Sequence, residues 1–486
     1  MKKRTRREFL GDSAKVVAGI GMAASADLLL PKNAGAQTAS NPIVIENQKQ
    51  GTSDWEIWNP SMNNEISGYA SKMAVKKGSS IAFYVSTAEP QFYAEVFRLG
   101  WYGGLGGCRY TDVYTFPGKK QTVPTPNATT GLVNCNWTSI GSLDIPTTWT
   151  NGLYVVRLTA SNTGTQSYIP FVVYDERRAD YLFQIPFTTW QAYNNFGGKS
   201  LYDFNSTSNK RAYKVSFNRP LAQGWGAGYL IAWEICMLRF LEREGFDVNY
   251  VSDYETHTNP NLLPLYKTFI VAGHDEYWTR QMRVNVDTAL TKRVNMAFFA
   301  ANCAFWQVRF ESSTYTPNPI MTCYKSAALD PYYATAANRP YTTVMFKDPI
   351  VNLPEGKLMG VEYQDYDAQG DIVIENPNHW VFAGTGAVAG TRLPGLVGVE
   401  YDRITANSPS NIVRLAHSPV TSAELGTGYS DMTIYTAPSG ASVFSAGTIT
   451  WVNGLDSYNT KFSLPNLVNP IAQQVTRNVL NRFAGR

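Results

Sequence analysis

The sequence predicts an all-β, immunoglobulin-like sandwich followed by a doubly wound α/β domain. From Glu56 to about Val173, short apolar runs alternate with Gly, Pro, Asn and Ser turns, as strands of a sandwich do. Past the charged linker Asp175-Glu176-Arg177-Arg178 the pattern switches to buried strand, amphipathic helix and buried strand in alternation. The stretch Thr268–Trp278, TFIVAGHDEYW, shows that second pattern best. Its β-branched and aromatic run ends at Gly273 and is followed at once by His274, Asp275 and Glu276.

In order along the chain, residues 1–36 resemble a twin-arginine export signal. Arg6-Arg7 is followed by Phe9-Leu10, a mildly apolar stretch from Val16 to Ala24, and the small residues Ala34-Gly35-Ala36 before Gln37. Residues 37–175 form the expected sandwich, including strands at Ser80–Ser86, Gln91–Leu99, Gly152–Thr159 and Ser167–Val173. Tyr154, near the start of its strand, suits a tyrosine corner. The glycine-rich FRLGWYGGLGG, Phe97–Gly107, opens no helix and so is not a phosphate loop; its glycines suit close packing or a loop laid on the second domain.

Residues 176–486 form the α/β domain. Strands are expected at Tyr181–Ile185, Val248–Val251, Thr268–Ala272 and Asn295–Ala300, with helices over Tyr229–Glu244, 280–291 and Pro470–Phe483. Residues 325–430 look like an irregular insertion. The expected sheet is of the glutamine-amidotransferase-like or flavodoxin-like kind.

The chain has 486 residues and a formal net charge of +4. The N-terminal 36 residues carry that excess, with seven Lys/Arg against three acids; 35 basic and 35 acidic residues remain. A neutral body argues against a nucleic-acid partner. No later stretch has the roughly 20 apolar residues that a membrane span needs, so a periplasmic or secreted protein is expected. Five cysteines without a C-x-x-C spacing give no thiolate zinc site, although Cys108 and Cys135 could pair outside the cytoplasm.

Ligands of open α/β sheets bind outside the carboxyl ends of the strands. Four such ends carry candidate groups: Tyr193 and Tyr202 after the first, Asp253 and Tyr254 after the second, His274 and Glu276 after the third, and Asn302 after the fourth. Singly, each has a bland explanation. One of 29 tyrosines is more often packing than ligand, and a lone acid after a strand often caps a helix. No Gly-x-Ser-x-Gly elbow is present, and the four histidines are too dispersed for a three-His zinc site.

WQAYNNFGGKSLYDF, VAGHDEYW, FFAANCAFW and LPGLVGVEYDR resemble the large-subunit catalytic domain of the N,N-dimethylformamidase family, over about 175–486. FRLGWYGGLGG resembles the sandwich ahead of it. The resemblance implies an iron-dependent amide hydrolase whose mononuclear, ferric centre is held by Tyr193, Tyr202 and Glu276. It places His274 and Asn302 around the metal, holding water and substrate, with Glu400 as a further group. The loop between the two tyrosines is shorter than the family pattern. Three hard anionic oxygens suit ferric iron. The implied partner is a small amide, with a homo-oligomer or small subunit left open. A rival function is a secreted, non-catalytic carbohydrate- or surface-binding protein that keeps the fold.

Overall fold

The computed structural model describes residues 41–315, 318–462 and 464–486. The expected export signal lies outside the described residues. Nine strands open the described chain: β1 (Ile66–Ala70), β2 (Ala74–Lys76), β3 (Ser80–Thr87), β4 (Gln91–Leu99), β5 (Gly107–Arg109), β6 (Tyr114–Pro117), β7 (Ser139–Asp144), β8 (Gly152–Ala160) and β9 (Gln166–Tyr174). They make a three-stranded sheet, β1-β3-β7, facing a larger one, β2-β9-β8-β4-β5, with β6 beside β4. Alternation along β3 turns Ile81, Phe83 and Val85 inward against Val96, Val156, Leu158 and Phe171. The Tyr154 phenol donates to the carbonyl of Thr150 at 2.6 Å, four residues upstream, as a tyrosine corner does.

The other face of the larger sheet is covered too. Phe97, Leu99, Leu153, Val155 and Tyr168 share one core with Tyr181, Leu238 and Leu241 of the following region. Strand β4 therefore buries consecutive residues rather than alternate ones.

The remaining strands are β10 (Ala179–Ile185), β11 (Lys214–Ser216), β12 (Val248–Ser252), β13 (Tyr266–His274), β14 (Tyr277–Thr279), β15 (Asn295–Ala301), β16 (Trp306–Glu311) and β17 (Ile320–Thr322). They are followed by β18 (Glu362–Val373), β19 (Arg392–Arg403), β20 (Val413–Ser422), β21 (Gly426–Thr436) and β22 (Ser442–Ser445). The α-helices are α1 (Pro42–Glu46), α2 (Phe187–Tyr193), α3 (Glu234–Arg243), α4 (Asp253–Thr258), α5 (Arg280–Thr291), α6 (Gly356–Met359) and α7 (Pro470–Ala484).

The doubly wound domain predicted from the sequence, flavodoxin-like or glutamine-amidotransferase-like, is not what forms. One nine-stranded sheet runs β12-β10-β13-β15-β22-β21-β20-β18-β19. It is parallel only from β12 to β22 and antiparallel from there on. A separate four-stranded sheet, β11-β17-β16-β14, stands beside it, and the chain as a whole is richer in strand than in helix. The supposed insertion at 325–430 supplies β18, β19 and β20, the body of the antiparallel half. Strand β22 enters the parallel half from an antiparallel neighbour, not through a helical crossover. Polar composition hid these strands: EYQDYDAQGDIV in β18 has few apolar residues and three register shifts against β19.

Helix α3 begins at Glu234, not at Tyr229. Gly224, Gly226 and Gly228 take positive φ just before it and hold the chain in turns. The five cysteines are buried and free, so Cys108 and Cys135 are not paired.

Candidate metal centre

Strand β13 delivers His274 at its last residue, and Gly273 sets the turn of the lip. Its φ is +70°, and a Cβ there would lie 2.6 Å from that of Trp233. Only glycine fits both conditions. Beyond it, the Glu276 backbone N–H donates to Thr189 Oγ1 of α2 at 2.9 Å. The Asp275 carboxylate accepts from Gln184 Nε2 at 2.6 Å. Burial pushes the Asp275 carboxyl up to about 6, and the Gln184 hydrogen bond opposes that rise. The loop after β15 closes over the same turn, with the N–H groups of Phe305 and Trp306 donating to the Glu276 carbonyl.

On this fixed lip Tyr193, Tyr202 and Glu276 meet. The Tyr193 hydroxyl donates to Glu276 Oε2 at 2.6 Å. The Tyr202 hydroxyl lies 2.8 Å from Tyr193 Oη, and 2.8 and 2.9 Å from the two Glu276 oxygens. The two phenol rings stack with centroids 4.4 Å apart, and all three residues are buried. Tyr193 ends α2, and Tyr202 is in extended backbone just after it.

His274 Nε2 lies 3.5 Å from Glu276 Oε2 and 3.2 Å from Glu400 Oε2. Asn302 Nδ2 donates to Glu400 Oε2 at 2.6 Å, and its backbone N–H to Asp402 Oδ1 at 2.9 Å. Asn302 Oδ1 is buried without a hydrogen-bond partner among the described residues. Asn302 holds φ +51° and Val399, just before Glu400, holds φ +68°. Positive φ at a β-branched residue is strained. Between Tyr366 and Ala368 the β18–β19 register slips, leaving Asp367 bulged opposite this point. Bulge and strain together aim Glu400 into the site.

Six of the eight residues picked from the sequence thus come together: Tyr193, Tyr202, Glu276, His274, Asn302 and Glu400. Asp253 and Tyr254 do not join them. Asp253 accepts from the backbone N–H and hydroxyl of Thr188, each at 2.6 Å, and so anchors the start of α2. Tyr254 packs on His257 and Phe310.

Two groups escaped the sequence. Burial, with Glu400 beside it, pushes the Asp402 carboxyl up to about 7. Lys325 places its ammonium 3.5 Å from the centroid of the Tyr202 ring, with Trp306 at 4.9 Å and Tyr277 at 5.2 Å. A left-handed backbone at Lys325, φ +55°, turns it that way, and no local pattern announces such a position.

The sequence model of the N,N-dimethylformamidase beta subunit-like family, C-terminal part, matches residues 93–463. The chain belongs to that family. Membership fits a hydrolase role at a coarse level. The match takes in all six residues and begins within β4, inside the sandwich. No curated protein matches the chain.

Among the described residues no group of three or more His, Cys, Asp and Glu is placed to hold a metal ion. The candidate donor set is of another kind: two phenol oxygens and one carboxylate. Three hard oxygens in mutual contact on buried side chains fit a hard first-row cation, ferric iron foremost. Phenols of ordinary pKa near 10 would need such a cation to ionise at neutral pH.

Proposed function

We propose that this family member is an iron-dependent hydrolase of small linear amides, similar in activity to N,N-dimethylformamidase. One observation carries the proposal: the oxygens of Tyr193, Tyr202 and Glu276 lie within 2.6–2.9 Å of one another. These three residues would hold the iron. When bound, iron supplies a Lewis acid for the amide carbonyl and acidifies a water.

The remaining roles belong to the chain. Glu400, 3.2 Å from His274 Nε2, takes a proton from the attacking water as its oxygen bonds to the carbonyl carbon. His274 passes that proton to the amide nitrogen as the C–N bond breaks, so that a carboxylic acid and an amine leave. Asn302 holds Glu400 through Nδ2 and offers Oδ1 to water or substrate. Burial of all six residues keeps bulk water from competing. Export by the twin-arginine route to the periplasm or beyond belongs to the same proposal and rests on Arg6-Arg7.

The test is amine release from N,N-dimethylformamide and N-alkylformamides. Wild type should turn over. Glu276→Gln should lose activity together with iron, and His274→Ala should keep iron but slow about 10²- to 10⁴-fold. Equal rates for Glu276→Gln and wild type would overturn the role of Glu276 as an iron ligand, and a wild type that carries no iron and turns over none of these amides would favour the binding-protein function.

A further inference from the structure

The sandwich holds a cavity of about 210 Å³ between its two sheets, open to solvent on one side. Its walls are Phe83, Ala94, Val96, Phe116, Val156 and Leu158, with no charged side chain among them. Protein interiors are packed to crystal-like density, and voids larger than a water molecule are few. An engineered cavity of roughly 150 Å³ lined by Leu, Ile and Phe stays dry and takes up benzene. This one is larger.

Two small residues keep the space open. Ala94 offers only a methyl from β4, and Gly141 on β7 offers no side chain. Gly141 has φ +136°, and a Cβ placed there would meet nothing within 4 Å. The β3–β7 register slips at the same place, between Phe83 and Tyr84. The larger neighbours hold their places: Phe116 stacks on Phe92 at 5.4 Å, and Phe83 meets Phe171 edge-on at 5.7 Å. The mouth lies where strands β6 and β7 run along the sandwich edge, and Tyr114, Ile140, Ser142 and Asp144 border it. Tyr114, Ser142 and Asp144 are exposed there.

We infer that this cavity is a binding site for a flat, apolar small molecule of about the size of indole. Its rings lie between the sheets. Aromatic walls favour a ring through offset and edge contacts. On β7 the inward positions are Gly141 and Leu143, opposite Phe83 and Ile81, whereas Ser142 and Asp144 share the outer face with Ala82 and Ser80, so the lining between the sheets is apolar. The site is separate from the candidate metal centre and independent of the function proposed for it.

Calorimetric titration of the full exported chain with indole tests the inference, with indene as the same ring system lacking N–H. Indole and indene should each bind saturably, one per chain, because the lining offers rings and methyls to both. Ala94→Phe fills the cavity and Ile140→Trp blocks its mouth; each should weaken indole at least tenfold without changing amide turnover. Ile140 is half-buried, so its variant keeps the test open if Ala94→Phe does not fold. Absence of saturable heat, or wild-type affinity in both blocking variants, would overturn the site. Binding of indole with no binding of indene would overturn the apolar lining.

Discussion

Glu234 is fully buried at the start of α3, and neither carboxyl oxygen has a hydrogen-bond partner among the described residues. Burial pushes its carboxyl up to about 8, and the charge of Asp275 adds to that. The folded protein therefore holds this proton more tightly than the unfolded chain, in which an ordinary carboxyl titrates near 4.5. Stability from this group is complete below that lower value and is lost as pH rises towards and through 8. Glu234→Gln keeps the shape and removes the titration. Thermal melts at pH 5, 7 and 9 should show wild type losing on the order of 1–3 kcal/mol more than the variant across that range. Parallel curves would show that Glu234 is already charged in the fold. The same residue marks a limit of sequence: within the helix expected over Tyr229–Glu244, Glu234 is one acid among apolar neighbours, and that pattern does not show its burial.

At the scale of elements, α3 connects the sandwich to the strand lip. Near its end, Glu242 receives Arg98 Nη2 at 2.7 Å and Nη1 at 2.9 Å, together with Tyr250 Oη at 2.9 Å and Asn47 Nδ2 at 2.8 Å. Asn47 Oδ1 in turn accepts from the backbone N–H groups of Trp101 and Tyr102, each at 2.9 Å. At the other end of α3, Trp233 packs against Gly273 of the lip. The glycine-rich FRLGWYGGLGG is thus the sandwich's docking loop. A side chain at Gly100 would collide with the Glu242 carboxylate. Removing one partner of a fully buried ion pair strands the other, so Arg98→Met should cost about 3–5 kcal/mol in urea unfolding. Arg98→Met with Glu242→Leu should recover much of that, and a loss below about 1 kcal/mol for the single variant would contradict the clamp. Placement of this loop on the second region was legible from its glycines; its buried Arg–Glu pair, 144 residues apart, was not.

For the whole molecule, local pattern carried the parallel strands and failed on the antiparallel ones. Runs such as YLFQI and TFIVAG are buried on both faces and read as strands at sight. Strands β18 to β21 leave polar residues exposed along their length, and their pairing is set by long-range contacts that no local period reveals. That antiparallel half carries Glu400 on β19, so the fold-class error and the site are linked: a purely doubly wound sheet has no such strand to supply it. His274, Glu276 and Asn302 were legible because each closely follows a short apolar run, and Tyr193 and Tyr202 because both lie in the stretch after the first strand; Glu400 rested on family resemblance.

The central claim, that two phenols and a carboxylate hold iron, is tested most directly by metal analysis of the purified protein together with its visible spectrum. One iron per chain is predicted, with a phenolate-to-iron absorption band that fades in Tyr193→Phe while the fold is retained. Protein that binds no iron when supplied with it, or a spectrum unchanged by Tyr193→Phe and Glu276→Gln, would contradict the claim.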